Sequence, residues 1–104
     1  MAPQRPLTSV PSDRPRWAGR LTVLTDPSTY SAAEDFLVGL QGLDHVTVLG
    51  ERTGGGSGRP RIPPLGPDLS LRISTAITYD RSGNPVERRG IVPDGPLTSA
   101  PDNL

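Results

Sequence analysis

The 104-residue sequence contains neither cysteine nor lysine. The absence of cysteine excludes disulfide bonds and cysteine-bound zinc. All 11 basic residues are arginine, so a reaction that needs a lysine base cannot run from these residues alone. No apolar run approaches the ~20 residues that a membrane span needs, and the first residues lack the apolar stretch of about 7–15 residues that marks a secretory signal.

Hydrophobic residues make up 33% of the chain, below the roughly 45–50% of ordinary domains, although that benchmark also counts glycine. A chain of this length buries only about 60–70% of its unfolded surface, so we expect a thin core in one small domain or in part of one. The formal net charge is zero, which argues against general nucleic-acid binding. Proline and glycine are abundant, with 13 and 12 residues. Four of the prolines fall in residues 1–17 and predict an irregular lead-in.

The first half of the remaining sequence predicts a βαβ unit. Arg20–Thr25 and His45–Gly50 are short apolar runs typical of strands, and Ser31–Gln41 between them has helical periodicity. The predicted apolar stripe of the helix consists of Ala32, Phe36 and Leu40, with Ala33 and Leu37 beside them. A strand, a helix and a strand within about 30 residues favour a parallel pair with a right-handed crossover.

The second half predicts a loop followed by a hairpin. Glu51–Pro67 is rich in glycine and proline, whereas Leu69–Tyr79 alternates apolar and polar residues as a strand does. Asp80–Asn84 has the composition of a turn, and Gly90–Val92 is a candidate for a further strand. Parallel strands need cover on both faces, and a single helix covers one. We therefore expect a second cover to come from elsewhere.

Ser31 begins the predicted helix and has two interpretations. With Glu34 three residues later it fits a capping box, in which each residue satisfies a backbone N–H of the other. Alternatively, Ser31 is a nucleophile at a helix N-terminus, where free N–H groups and the positive end of the dipole stabilise an oxyanion. The G-x-S-x-G elbow of ordinary α/β-hydrolases is not present around this serine.

The glycine-rich segment Gly50–Gly58 has three interpretations. It fits a phosphate-binding loop except that Gly56 stands where the lysine belongs and Pro60 opposes the helix that should follow. It also has the composition of a mobile surface loop. The third interpretation is a loop whose backbone approaches a bound peptide closely, which glycine permits.

Two further residues were candidates for proton transfer. His45 is the only histidine, but it follows the far end of a predicted helix about 17 Å long, so it should not reach Ser31 and is interpreted as a surface residue. Glu87 lies in a charged segment with Arg88 and Arg89, which by composition alone is a solvated hairpin surface.

Four motifs in order resemble the tail-specific, or C-terminal processing, serine peptidase family, which includes tricorn-type peptidases. Leu21–Asp26 is similar to the strand before the nucleophile, and Ser28–Glu34 resembles the family's T-x-S-A-x-E motif. Val48–Gly55 resembles its V-G-E-x-T-x-G loop, and Gly90–Asp94 resembles its G-I-x-P-D ending. The likeness runs from about Trp17 to Asp94, and four motifs at compatible spacing are far more specific than any one.

The resemblance implies an α/β fold, namely part of the β-β-α spiral of crotonase- and Clp-like proteins, with one βαβ unit followed by a β-hairpin. It makes Ser31 the attacking serine and the Ala32 N–H one donor of the oxyanion site. The implied relay residue is Glu87, and the residues expected to border the substrate are Gly54, Gly55 and Gly56. No metal or cofactor is implied. The domain would span residues 18–95, followed by a frayed tail at 96–104.

The residue at position 56 departs from the pattern of many family members and indicates which branch of the family the chain resembles. Many members pair the serine with a lysine about 25 residues later, where this chain has Gly56. The chain instead resembles the tricorn-like branch, whose histidine lies upstream of the nucleophile and before the first residue here. We therefore expect a serine-type peptidase acting through an acyl-enzyme on Ser31, with a peptide or protein as substrate. We expect it to be inactive alone, because the histidine and the second oxyanion donor, from an upstream glycine, would come from the missing N-terminal half or another chain. The alternative is a non-catalytic ligand- or peptide-binding module of the same fold.

Overall fold

A computed structural model describes residues 8–98, which contain two strands and one helix. Strand β1 is Leu21–Thr25, helix α1 is Ala32–Leu40 and strand β2 is Val46–Gly50. The strands pair in parallel, so the predicted βαβ unit is confirmed to within a residue at each boundary. The predicted lead-in at 1–17 contains no helix or strand in its described part, residues 8–17, and most of the predicted tail lies outside the described residues.

The two strands have one covered and one open face. The register pairs Leu21 with Val46 and Val23 with Val48, so these side chains lie on the same face. Val48 is fully buried there, whereas Leu24 on the opposite face is 60% exposed. The sheet is thus covered on one side only within the described part of the chain, and the second cover that parallel strands require is not supplied by residues 8–98.

The helix turns a different face inward from the one predicted. Its buried residues are Glu34 and Leu37, while Phe36 is 61% exposed and the two alanines are exposed. The predicted stripe of Ala32, Phe36 and Leu40, with Ala33 and Leu37 beside them, is therefore wrong at Ala32, Ala33 and Phe36, whereas Leu37 reaches the core and Leu40 packs against it. Apolar spacing does not indicate that Glu34 is buried. A buried carboxylate is stable only when donors surround it, and sequence periodicity does not show those donors.

The core is completed by the segment that follows the predicted turn at Asp80–Asn84. Val86 and Ile91 are 1% and 2% exposed and pack with Leu37, Val46 and Val48. Gly95 bridges Leu49 in parallel orientation, and the Asp94 carboxylate accepts a hydrogen bond from the Val48 N–H at 2.7 Å. The predicted strand at Gly90–Val92 is wrong, since the pairing with β2 is made a few residues later as an isolated bridge.

Residues 59–77 form an open hairpin that we call the arm. Its two halves are joined by isolated antiparallel bridges, Arg61 with Ile73 and Pro64 with Ser70. The predicted regular strand at Leu69–Tyr79 is wrong, because these bridges do not extend into a ladder. The opposing half contains four prolines, which have no N–H to donate. The large apolar side chains of the arm are all at least 42% exposed, namely Ile62, Leu65, Leu69, Leu71, Ile73 and Ile77.

The predicted turn at Asp80–Asn84 is confirmed. The Asp80 N–H donates to the Asn84 carbonyl at 2.9 Å, and Tyr79 bridges Pro85 in antiparallel orientation. The backbone N–H of Asn84 donates to the Asp80 carboxylate and is the main reason that the pKa of this carboxyl lies below its ordinary value. This turn directs Val86 back into the core.

The two neighbouring large residues of α1 test which face of the helix is buried. Leu37→Ala should lower the free energy of unfolding by about 2–5 kcal/mol, because Leu37 is 1% exposed and its truncation leaves a cavity. Phe36→Ala is the matched control and should cost less than about 1 kcal/mol, because most of its ring is already in water. Urea unfolding followed by circular dichroism measures both. Equal losses of stability would mean that α1 buries Phe36 as well as Leu37.

Candidate active site

Ser31 is held in an unusual backbone conformation at the start of α1. Its φ is 56° and its ψ is −121°, a region that residues other than glycine rarely adopt and that costs about 1–3 kcal/mol. Both capping-box residues are in place, and the Ser31 N–H donates to Glu34 Oε2 at 3.0 Å. The Ser31 hydroxyl makes no cap hydrogen bond, because the Glu34 N–H donates to the Ser31 carbonyl instead. The hydroxyl is therefore not tied to the helix.

The first peptide of the helix lies directly beside this hydroxyl. The Ala33 and Glu34 N–H groups donate to the carbonyls of Tyr30 and Ser31 at 3.2 and 2.9 Å. The Ala32 N–H has no acceptor within residues 8–98. An unpaired N–H at the positive end of a helix dipole is a donor available to a developing negative charge.

The Glu34 carboxylate joins the serine turn to the glycine-rich loop. Its side chain is fully buried. Oε1 accepts from Thr53 Oγ1 at 2.6 Å and from the Gly55 N–H at 2.7 Å. Oε2 accepts from the Gly56 N–H at 2.8 Å and from the Ser31 N–H at 3.0 Å. Four donors converge on one carboxylate, which the sequence analysis recognised only as a capping residue.

Thr53 extends this network to the end of the domain. Its hydroxyl donates to Glu34 and accepts from the Ile91 N–H at 2.7 Å, while its own N–H donates to the Ile91 carbonyl at 3.1 Å. Gly90 lies so close to the Thr53 carbonyl that a Cβ there would overlap it. Thr53 was not singled out from the sequence. The only available signal was its place between the glutamate and glycines of the loop motif.

The backbone N–H groups of the three consecutive glycines all point into the protein. Those of Gly55 and Gly56 donate to Glu34, and that of Gly54 donates to the Thr29 carbonyl at 2.9 Å. The loop is thus an ordered part of the site, with Gly55 buried, Gly56 half-buried and Gly54 exposed. Of the three sequence interpretations, a phosphate cradle is the least compatible with this geometry, because these donors are already occupied.

The Tyr30 ring lies across this loop. A Cβ at Gly54 would approach Tyr30 Cδ2 to 2.5 Å and the Pro27 carbonyl oxygen to 2.6 Å. A Cβ at Gly56 would overlap the ring itself, and its three nearest atoms all belong to Tyr30. Glycine is therefore needed at Gly54, where the close atoms include a backbone oxygen, whereas a side chain at Gly56 would have to displace the half-exposed Tyr30 ring.

Glu87 lies next to the same loop. The N–H of the following residue, Arg88, donates to the Gly55 carbonyl at 2.7 Å. A Cβ at Gly58 would lie 3.1 Å from Glu87 Oε2. That oxygen is buried and has no hydrogen-bond partner within the described residues. Such an oxygen is rare in folded proteins, because leaving it unsatisfied costs about 1–3 kcal/mol or more.

His45 lies at the other end of the sheet. It precedes β2, its carbonyl accepts from the Leu21 N–H, and it lines a cavity with Arg20, Asp44 and Thr47 at the amino ends of the strands. Ser31 follows the carboxyl end of β1, and a five-residue strand separates the two ends by roughly 16 Å. The structure therefore does not bring His45 to Ser31, in agreement with its interpretation as a surface residue.

A cavity of about 390 Å³ opens between β1 and the start of α1. Most of its lining is apolar, with Leu24, Tyr30, Ala33 and Phe36 at its rim and Leu37 at its base. Residues 8–98 contain no cluster of histidine and acidic side chains able to hold a metal ion. In the same range, no helix has the length and apolar character for a membrane span.

The fold and the motifs together define a peptidase family. The sequence profile of peptidase family S41 matches residues 3–97, nearly the whole chain. The chain belongs to this family. A carboxy-terminal-processing protease of Bartonella bacilliformis is 34% identical over 74 residues, which are 71% of this chain and 17% of that protein.

Solved structures show the same relationship. A putative peptidase from Parabacteroides merdae is 41% identical, with a TM-score of 0.74 over 86% of this chain and 28% of its own. The photosystem II D1 C-terminal processing protease is 26% identical, with a TM-score of 0.62 over 77% of this chain and 21% of its own. Mature CPAF complexed with lactacystin shares the fold at a TM-score of 0.75 and 22% identity. The chain thus spans between a sixth and a third of the length of these relatives.

The contact between Tyr30 and Gly56 can be tested by a double-mutant cycle. Gly56→Ala should destabilise the protein by about 1–3 kcal/mol, because the new methyl group overlaps the Tyr30 ring. In a Tyr30→Ala background the same change should cost much less. Gly39→Ala in α1 is the control, since nothing lies within 4 Å of its Cβ position and alanine favours the helix. Urea unfolding gives the free energies of the four proteins of the cycle and of the Gly39→Ala control, and a Gly56 penalty that persists without the ring would contradict the contact.

Proposed function

We propose that this chain provides the nucleophile-bearing part of a serine-type peptidase, in which Ser31 attacks the scissile carbonyl. The observation that supports this most directly is the backbone of Ser31. A non-glycine residue keeps a conformation with φ of 56° only when its surroundings enforce it, and such positions are concentrated at active sites. Its hydroxyl makes no hydrogen bond among the described residues, and Ser31 follows the carboxyl end of a parallel strand, where α/β proteins commonly bind ligands.

The proposed reaction forms and then hydrolyses an acyl-enzyme. Ser31 Oγ bonds to the carbonyl carbon while its proton passes to a base, and the oxyanion accepts a hydrogen bond from the Ala32 N–H. The intermediate then expels the amine, which takes a proton from the protonated base. Water repeats the sequence on the ester and releases the acid and Ser31. Of the three glycines expected to border the substrate, Gly54 and Gly56 would do so, whereas Gly55 is buried and its carbonyl already accepts from the Arg88 N–H.

We propose that the base is a histidine on polypeptide outside this chain, supported by Glu87. The support for this role is that Glu87 Oε2 lies beside the glycine-rich loop and has no hydrogen-bond partner among the described residues. The alternative arrangement, with a lysine at position 56, is opposed by the Tyr30 ring, which occupies the space of a side chain there. This supports the tricorn-like branch. A serine hydroxyl without a base is a poor nucleophile, so the chain alone should be inactive or nearly so.

The incomplete cover of the fold supports the same proposal. One face of the sheet, Phe36 and the apolar side chains of the arm are all exposed, and these are surfaces that a partner segment would bury. We propose that the remaining part of the catalytic domain covers them, as part of the β-β-α spiral, whether on the same polypeptide or another. The substrate would be a peptide or protein.

A fluorophosphonate probe tests the assignment of the nucleophile. The chain should be labelled at Ser31, far more slowly than a complete serine peptidase because the oxyanion site acts without a base. Ser31→Ala should abolish labelling, and Ser28→Ala, a nearby exposed serine, should leave it unchanged. Mass spectrometry of the labelled peptide gives site and rate. No labelling of Ser31 would leave the non-catalytic binding module in place of the peptidase, and labelling at the full rate would contradict the missing base.

A further inference from the structure

Glu34 has an environment unlike that of an ordinary helix-capping residue. Its carboxylate is fully buried, and no arginine lies within ion-pair distance of it among residues 8–98. Three backbone N–H groups and one hydroxyl balance the charge, from two segments more than 20 residues apart in sequence. Hydrogen bonds to a charged group are worth about 1.5–3 kcal/mol each, so the cluster is strong enough to impose local geometry.

We propose that Glu34 is a positioning residue for the nucleophile, resting on the proposed function of Ser31. Its Oε2 accepts hydrogen bonds from the Ser31 N–H and the Gly56 N–H at the same time. This holds the Ser31 backbone at positive φ, in a turn where the hydroxyl and the Ala32 N–H have no hydrogen-bond partner among residues 8–98. Without the carboxylate, the turn can relax to negative φ and release the strain.

The acceptor-only character of the carboxylate is essential to this role. All four of its neighbours donate, two to each oxygen. A glutamine offers one oxygen and one NH₂ group, so two of these contacts become donor against donor in either orientation. The Thr53 hydroxyl can reorient, but the backbone N–H groups of Ser31, Gly55 and Gly56 cannot. Glutamine should therefore preserve the size of the side chain and lose part of the hydrogen bonding that joins the serine turn to the glycine-rich loop.

The test compares Glu34→Gln with Glu51→Gln, which removes the same charge from an exposed side chain that makes no hydrogen bond in the described range. Three readouts are taken on the folded full chain. These are the Gly55 and Gly56 amide proton shifts, the Ser31 ¹³Cα and ¹³Cβ shifts, which report its φ, and the rate of fluorophosphonate labelling. Glu34→Gln should move both sets of shifts and lower the labelling rate about a hundredfold, as small displacements of a reacting group do. Glu51→Gln should change none of them.

Thr53 supplies a second pair of variants in case Glu34→Gln does not fold. Thr53→Val removes the hydroxyl that donates to Glu34 and should shift the Gly55 amide and slow labelling, whereas Thr53→Ser keeps the hydroxyl and should restore both. A folded Glu34→Gln variant with unchanged Ser31 shifts and labelling would overturn the proposal, as would a Thr53→Val variant with unchanged Gly55 shift and labelling. If the unmodified chain is not labelled at all, the proposed function fails, and the shifts alone decide whether Glu34 holds the turn.

Discussion

The arrangement of the site depends on one buried negative charge. Removing a carboxylate from water costs several kcal/mol, and here no buried cation among the described residues offsets it. The cost is met by donors that the fold must bring together, two from the glycine-rich loop, one from Thr53 and one from Ser31. The same contacts that make burial of Glu34 tolerable therefore fix the loop against the serine turn. Strain at Ser31 and order in a segment rich in glycine are two consequences of one electrostatic requirement.

This requirement also explains which parts of the structure were predictable from sequence. The strands and the helix follow from local periodicity, and the turn at Asp80–Asn84 follows from its composition. The buried face of the helix was not predictable from periodicity, because Glu34 counts as polar there and becomes internal only through donors 19 to 22 residues away. Thr53 was not predictable for the same reason, since its hydroxyl contacts Glu34 and Ile91, which are distant from it along the chain.

The strand predicted at Leu69–Tyr79 failed for the opposite reason. Its alternation of apolar and polar residues is real, but alternation describes a strand that has a core to face and a partner to pair with. The prolines of the opposing half of the arm limit the pairing, and residues 8–98 provide no core on the apolar side. Leu71 and Ile73 therefore remain 42% and 46% exposed. The chain spans a small share of the length of its relatives.

The surroundings of Tyr30 and Glu87 bear on where the base of the proposed reaction can come from. Within the chain, the ring of Tyr30 occupies the space above Gly56, so a base at that position would have to displace the ring. The Glu87 carboxylate, by contrast, keeps an oxygen without a partner beside the same loop. Packing therefore disfavours a base at position 56, while Glu87 Oε2 remains an acceptor for a base carried by another segment. Since an unsatisfied buried oxygen is costly, the segment that carries the base should gain binding energy by pairing with Glu87, so docking of that segment and completion of the site would be favoured by the same contact.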